Sequence, residues 1–199
     1  MTITALVLAA GRSSRFEGGN KLLADVAGQP MLRRVLSAVA ASKAQEIVLV
    51  TGDNGSRMIA AAGPGRWRAV SNPTPELGLS SSICAGLSAL GDGTGGALIV
   101  LADMPGVSST LIDALIAAFD AKDGNAIVYP VASNGQQGHP VLWPSAHFDE
   151  LNSLTGDTGA KALLSKYAHL VVTVPVSDNA AFHDVDTVED LQRLKAGKN

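Results

Sequence analysis

With 199 residues, 46% of them hydrophobic and 17% charged, the chain is long enough to bury a substantial core and too apolar to be disordered. Fifteen Lys and Arg against 18 Asp and Glu leave a net charge of −3, which excludes a general attraction to nucleic acid or anionic membranes; anion binding has to be local. The N-terminus lacks a basic region leading into a long apolar segment and cleavage site, and no apolar stretch is long enough to span a bilayer, so a cytoplasmic protein is expected.

The first apolar run, Thr4–Ala9, predicts a strand that feeds into a turn carrying Gly11, Arg12, Ser13, Arg15 and Lys21. Gly11 lets the backbone approach a ligand closely, and exposed amides with three cations suit an anionic group such as a triphosphate. Neither Gly-x-x-x-x-Gly-Lys-Ser/Thr nor Gly-x-Gly-x-x-Gly is present, which weakens ATPase and dinucleotide readings. A helix over Met31–Ala41 starts just after Pro30, followed by a strand over Glu46–Thr51, a helix over Asn54–Ala61 and a short strand over Arg68–Val70.

Asn72 and Gly78 then lead to Ser80, Ser81 and Ser82 at the start of a helix predicted over Ser80–Leu90. Exposed amides and hydroxyls there suit a nucleoside or an anion, although a serine N-cap alone needs only one of the three. Cys84, the single cysteine, excludes an internal disulfide and reads as helix packing. The glycine-rich stretch at 91–96 is a helix-to-strand turn, and the strand Gly96–Leu101 is followed by Asp103 and Pro105. A carboxylate two residues beyond a buried strand is a hard oxygen ligand suited to Mg²⁺; the alternative is a plain turn former.

A helix over Ser108–Ala118 and a strand over Ala126–Pro130 come next, then Gly138-His139-Pro140, a helix over Thr158–Lys166 and a strand over Leu170–Val174. His139 reads as a hydrogen-bonded histidine without a catalytic role, and His147, His169 and His183 show no metal-ligand spacing. Asp184 and Asp186, two apart in an extended segment, emerge on one face before a helix over Thr187–Lys195. Thr187 and Asp190 have the spacing of a loose capping box, so Asp186, favoured over Asp184 as a metal ligand, competes with an ordinary structural explanation.

Alternating strands and helices indicate an α/β fold, read as one domain over residues 1–199. The runs at 4–9, 46–51 and 96–101 are nearly continuous in apolar residues, as in strands of a mostly parallel sheet covered on both faces, where ligands sit beyond the carboxyl ends of the strands.

The opening segment from Leu8-Ala9-Ala10-Gly11 to Lys21 resembles the first motif of the nucleotidyltransferases with a Rossmann-like fold, and within them the molybdenum cofactor cytidylyltransferases of the MobA-like NTP transferase family. It departs from that pattern at Phe16, where Met is usual, and at Glu17. Further matches follow in order: Gly78-Leu79 with the three serines, Asp103-Met104-Pro105, Gly138-His139-Pro140, Gly156-Asp157 through Lys161, and Asp184 through Leu191. The resemblance implies a single-domain, three-layer sandwich of the nucleotide-diphospho-sugar transferase type. It implies that Leu8, Ala9, Ala10, Gly11, Arg12, Ser13, Lys21, Asn72, Ser80, Ser81, Ser82 and Asp103 bind the nucleotide. His139, Asp157, Lys161, Asp184 and Asp186 then face the acceptor, with Asp103 and Asp186 holding Mg²⁺. Lys161 stands where Arg is usual and loses the bidentate grip on phosphate.

The expected reaction is attack by an acceptor phosphate oxygen on the α-phosphorus of an NTP, with pyrophosphate leaving and Lys21, Arg15, Arg12 and Asp103 carrying catalysis. Ala10, where the guanylyl branch has glycine, points to CTP, and the implied acceptor is molybdopterin. Alternatives are guanylyl or sugar-phosphate nucleotidyl transfer, delivery of a cofactor to a molybdenum hydroxylase, and an NAD(P)H oxidoreductase on the same scaffold.

Overall fold

The computed structural model describes residues 1–13, 16, 19–156, 160–177 and 182–195, with 161 and 162 described by backbone alone. Its chain order begins with strand β1 (Thr2–Ala9), a 3-10 turn Lys21–Leu23, a small hairpin of β2 (Asp25–Val26) and β3 (Gln29–Pro30), and helix α1 (Met31–Ala40). It continues through β4 (Glu46–Thr51), α2 (Gly55–Ala62), β5 (Arg68–Ser71), α3 (Leu79–Leu87), β6 (Thr94–Leu101) and α4 (Ser109–Asp120). The remaining elements are β7 (Ile127–Ala132), β8 (Val141–Pro144), α5 (Phe148–Asn152), α6 (Lys161–Lys166), β9 (Val171–Val176) and α7 (Val188–Lys195).

Seven strands form one sheet in the order β5-β4-β1-β6-β8-β7-β9. All neighbours are parallel except β8, which runs antiparallel to both β6 and β7. The side chains of β1 show why its run is apolar throughout. Ala5, Val7 and Ala9 join a core with Leu32, Val35 and Ile112 from α1 and α4, while Leu6 and Leu8 join one with Val48, Val50 and Ile83 on the other face. A strand buried on both sides has no polar alternation to display. Helix α3 lies close against the sheet, and Gly86 permits it: a Cβ there would sit 3.0 Å from a Leu6 methyl.

The expected α/β architecture and mostly parallel mixed sheet are present; the hairpin of β2 and β3 and helix α5 were not expected, and other details differ. Helix α3 stops at Leu87 instead of Leu90, because Ala89 and Leu90 bond three residues back, to Gly86 and Leu87, closing the end as a tighter turn. Strand β8 was not anticipated; its four residues are fully apolar and wedged between β6 and β7. Strand β6 begins at Thr94, inside the glycine-rich stretch read as a turn.

Arg66 closes the α1 end of the fold by donating to four carbonyls, those of Ala40, Ser42, Ala44 and Gln45, at 2.8–3.2 Å. Hydrogen bonds to a charged donor contribute about 1.5–3 kcal/mol as a group when exposed carbonyls can re-solvate. At about 2–4 °C per kcal/mol for a chain of this size, Arg66→Ala is therefore expected to lower the melting temperature by roughly 3–12 °C, read by thermal denaturation. A shift under 1 °C would show that water replaces the guanidinium without loss.

Candidate active site

The carboxyl ends of β1, β4 and β6 open onto one rim, and the chain places its charged residues there. Past β1, Ala10 is buried while Gly11 and Arg12 are exposed, and a Cβ built on Gly11 meets nothing within 4 Å. The ledge beside Gly11 is open to a ligand on its approach side. Gly52, just past β4, is confined instead: its Cβ would stand 2.8 Å from the Ala10 carbonyl oxygen, so only glycine lets the two loops pass. Ser13 takes a left-handed backbone (φ 51°), and its hydroxyl donates to Asn20, whose carboxamide oxygen also accepts from the Leu22 amide. That Asn20 cap starts the turn that aims Lys21 inward.

Lys21 reaches two carboxylates. Its Nζ lies 2.8 Å from Asp103 Oδ2 and 2.6 Å from Asp186 Oδ1, with the lysine side chain only 12% exposed. Burial works against the ammonium, but Asp103 and Asp186 outweigh it and hold the Lys21 pKa above its ordinary value, so it is charged. Asp103 sits in the turn after β6, fixed where Arg34 donates to the Pro105 carbonyl. The Val185 amide donates to the Asp103 carbonyl at 3.0 Å and brings the C-terminal segment across.

Beside Asp186, Thr187 and Asp190 form the reciprocal cap. Asp190 Oδ2 accepts from the Thr187 amide and hydroxyl, and Thr187 Oγ1 accepts from the Asp190 amide. The cap and the contact with Lys21 coexist, since the cap uses Thr187 and Asp190 while the Asp186 carboxylate points to Lys21. Asp184 is exposed.

Arg12 is held by two acids at the rim, Asp53 at 3.2 Å and Glu76 at 3.6 Å, all three at least 47% exposed. Neither acid was singled out from the sequence. Asp53 had a signal, since it stands two residues beyond β4 as Asp103 does beyond β6; Glu76, in a 3-10 turn, had none.

A cavity of about 670 Å³ lies between these groups, lined by Leu8, Ala10, Gly11, Arg12, Ser82 and Asp103 among others. That volume suits a drug-sized ligand. Asn72 and the three serines divide. Asn72 Nδ2 donates to Ser81 and Ser82, its carbonyl oxygen accepts from Thr74, and Ser81 donates to Gly78. Ser80 and Ser82 are buried in the first turn of α3, against the exposed hydroxyls expected. Only Ser82 of this group faces the cavity beside Asp103; Asn72, Ser80 and Ser81 line a separate groove of about 690 Å³ with Leu154 and Gly156.

Next to the first cavity and sharing Leu79 with it, His139 lines a cavity of about 280 Å³ with Trp143 and Tyr129. Burial holds His139 below the usual imidazole range, against the pull of the Ile99 backbone and Asp103, so it is neutral at pH 7. Arg15 and Asp157 lie outside the described residues, and Lys161 starts α6 with its side chain undescribed.

Behind this region Glu150 ties α5 to the end of α6. It accepts from Lys166 at 2.6 Å and the Tyr167 hydroxyl at 2.5 Å, with His147 at 3.4 Å. The Lys166 and Tyr167 contacts pull the Glu150 carboxyl from 4.5 down to about 2. A depressed acid stabilises the folded state above its unfolded pKa and loses that contribution as pH falls, here between about 4.5 and 2. Thermal melts over that interval should fall less steeply with acid for Glu150→Gln than for the wild type; parallel curves would remove this linkage.

Among the described residues no group of three or more His, Cys, Asp or Glu side chains forms a metal cage. The donor set is a pair, Asp103 and Asp186, and Asp103 Oδ1 is buried without a hydrogen-bond partner. An orphaned hard oxygen next to a second carboxylate fits Mg²⁺, which takes one or two protein carboxylates and completes its shell with phosphates and water.

Residues 5–171 match the model of the MobA-like NTP transferase domain. The chain belongs to that family. It is a nucleotidyltransferase of the MobA-like type, and its relatives carry different names. It is 29% identical to the nicotine blue oxidoreductase of Paenarthrobacter nicotinovorans over 96% of each chain. It is also 29% identical to the molybdenum cofactor guanylyltransferase of Cupriavidus metallidurans, over 98% of this chain and 96% of that one. Among solved structures, Rv0371c of Mycobacterium tuberculosis superposes with a TM-score of 0.86 at 27% identity, covering 98% of both chains, and has also been solved as a complex with manganese. No helix among the described residues is long and apolar enough to cross a membrane.

Proposed function

We propose that this MobA-like domain, spanning residues 1–199, transfers CMP from CTP to the terminal phosphate of molybdopterin and releases pyrophosphate. The observation that carries the reading is the cavity joining Gly11 and Arg12 to Asp103, whose carboxylate pairs with Lys21, itself held between Asp103 and Asp186. The acceptor's phosphate oxygen forms a bond to the α-phosphorus of CTP, the bond from that phosphorus to the bridging oxygen breaks, and the electron pair leaves with pyrophosphate. No covalent enzyme intermediate is needed. Arg12, Arg15 and Lys21 orient the triphosphate and take up charge as the bridging oxygen departs. Leu8, Ala9 and Ser13 shape the loop around the nucleotide, and Asn72 with Ser80 and Ser81 braces the turn that carries Ser82. His139, neutral, presents a hydrogen-bonding edge toward the acceptor, along with Asp157, Lys161 and Asp184. Asp103 and Asp186 would hold Mg²⁺, which supplies screening of the phosphate charges.

The choice of CTP rests on Ala10, whose methyl lines the cavity where a glycine would leave more room for a purine; one methyl discriminates by about 1–3 kcal/mol. The guanylyl reading is favoured instead by the name of the Cupriavidus relative. Calorimetric titration with CTP, GTP, ATP and NADPH, each with and without Mg²⁺, separates the readings. Mg²⁺-dependent binding of CTP is expected; a preference for GTP moves the protein to guanylyl transfer, and binding of NADPH alone would overturn nucleotidyl transfer. Delivery to a molybdenum hydroxylase predicts tight acceptor binding without pyrophosphate release.

A further inference from the structure

Lys21 is asked to do two things that its position does not allow at once. As a phosphate ligand its ammonium belongs toward the cavity, yet it sits 2.8 Å from Asp103 and 2.6 Å from Asp186, bridging the pair that would hold a divalent cation. Magnesium binds its oxygen ligands at about 2.0–2.1 Å, so a cation shared by these two carboxylates would take the space the ammonium fills. The second cation repeats the pattern at the rim, where Arg12 is paired with Asp53 and Glu76. Lys21 and Arg12 are thus each neutralised from within the protein.

The geometry points to Lys21 as an internal stand-in for the divalent cation, exchanged out when metal and triphosphate arrive together. This rests on the metal placement proposed above. The cation takes the two carboxylates as the ammonium turns to the phosphates, and every charge keeps a partner throughout. Metal alone would displace the ammonium and leave it without an anion, an unpaired, partly buried charge that is costly. Each ligand therefore raises the affinity of the other, and by linkage the factor is the same in both directions.

The test is binding of Mn²⁺ alone, followed by the loss of the free-ion electron paramagnetic resonance signal, with no nucleotide or acceptor present. Lys21→Met is expected to bind Mn²⁺ roughly tenfold or more tightly than the wild type, a gain within the usual range of coupling between sites. Equal or weaker binding by the variant overturns the stand-in role, and the metal placement is then judged separately by Asp103→Asn turnover. Arg12→Gln removes one positive charge at the rim without touching the carboxylate pair; a gain there as large as in Lys21→Met would mean general electrostatics and would also overturn it. In Lys21→Met/Asp103→Asn the gain should disappear, and if it persists the ion binds elsewhere and the metal placement fails. Should Lys21→Met not fold without metal, Lys21→Gln takes its place and the melting temperature is the readout. Mn²⁺ should raise it more in the variant than in the wild type, and an equal rise counts against the inference.

Discussion

Asp103→Asn is expected to lower turnover about 10³-fold at saturating nucleotide. A divalent cation on transferring phosphates contributes several kcal/mol to the transition state, and each ~1.4 kcal/mol is a factor of ten in rate. The substitution keeps an oxygen in place but removes the charge, and it acts on the carboxylate whose Oδ1 is buried and unpartnered. The fold should tolerate it, because Lys21 keeps its 2.6 Å contact with Asp186 and the backbone bond from Val185 to the Asp103 carbonyl does not involve the side chain. Pyrophosphate release measured against Mg²⁺ concentration, beside a thermal melt, checks both halves. Turnover within twofold of the wild type would take Asp103 out of the metal site.

Lys21→Ala should cost roughly 10²-fold or more in kcat, as the loss of one charge-stabilising group typically does. The loss should fall on kcat and kcat/KM alike, since the contact gains strength as charge builds on the leaving pyrophosphate. Unlike Asp103→Asn, it also leaves Asp103 and Asp186 without their shared counter-ion, so some loss of stability accompanies it; added Mg²⁺ should restore part of that. The two effects will not add. Lys21 and Asp103 are in direct contact, and residues in one charge network couple by about 0.5–3 kcal/mol. An unchanged rate in Lys21→Ala would remove the residue from the reaction.

The parts of the molecule legible from sequence were those written in local pattern. Continuous apolar runs marked β1, β4 and β6 because both sheet faces are covered, and the spacing of Thr187 and Asp190 marked the cap of α7, which forms with both reciprocal bonds. The position of Asp103 followed from the end of its strand. What composition could not show was direction. Val141–Pro144 reads as apolar whichever way it runs, and its antiparallel placement between β6 and β7 is decided by partners far away in the chain. The same holds for the charges: nothing near Lys21 announces Asp186, and nothing near Arg12 announces Glu76. The burial of Ser80 and Ser82 depends on what packs over the first turn of α3, which the run of serines does not announce.

The pair between Lys21 and Asp186 joins residues 165 positions apart. On a ribosome adding about 5–20 residues per second, Lys21 precedes its second carboxylate by roughly 10–30 s. In the later half of that time, once β6 and Asp103 have been made, the sheet can gather around β1 and β6 with Asp103 beside the ammonium. The emerging protein therefore acquires its fold before it acquires a complete charge set, and a chain caught mid-synthesis is a poor trap for nucleotide.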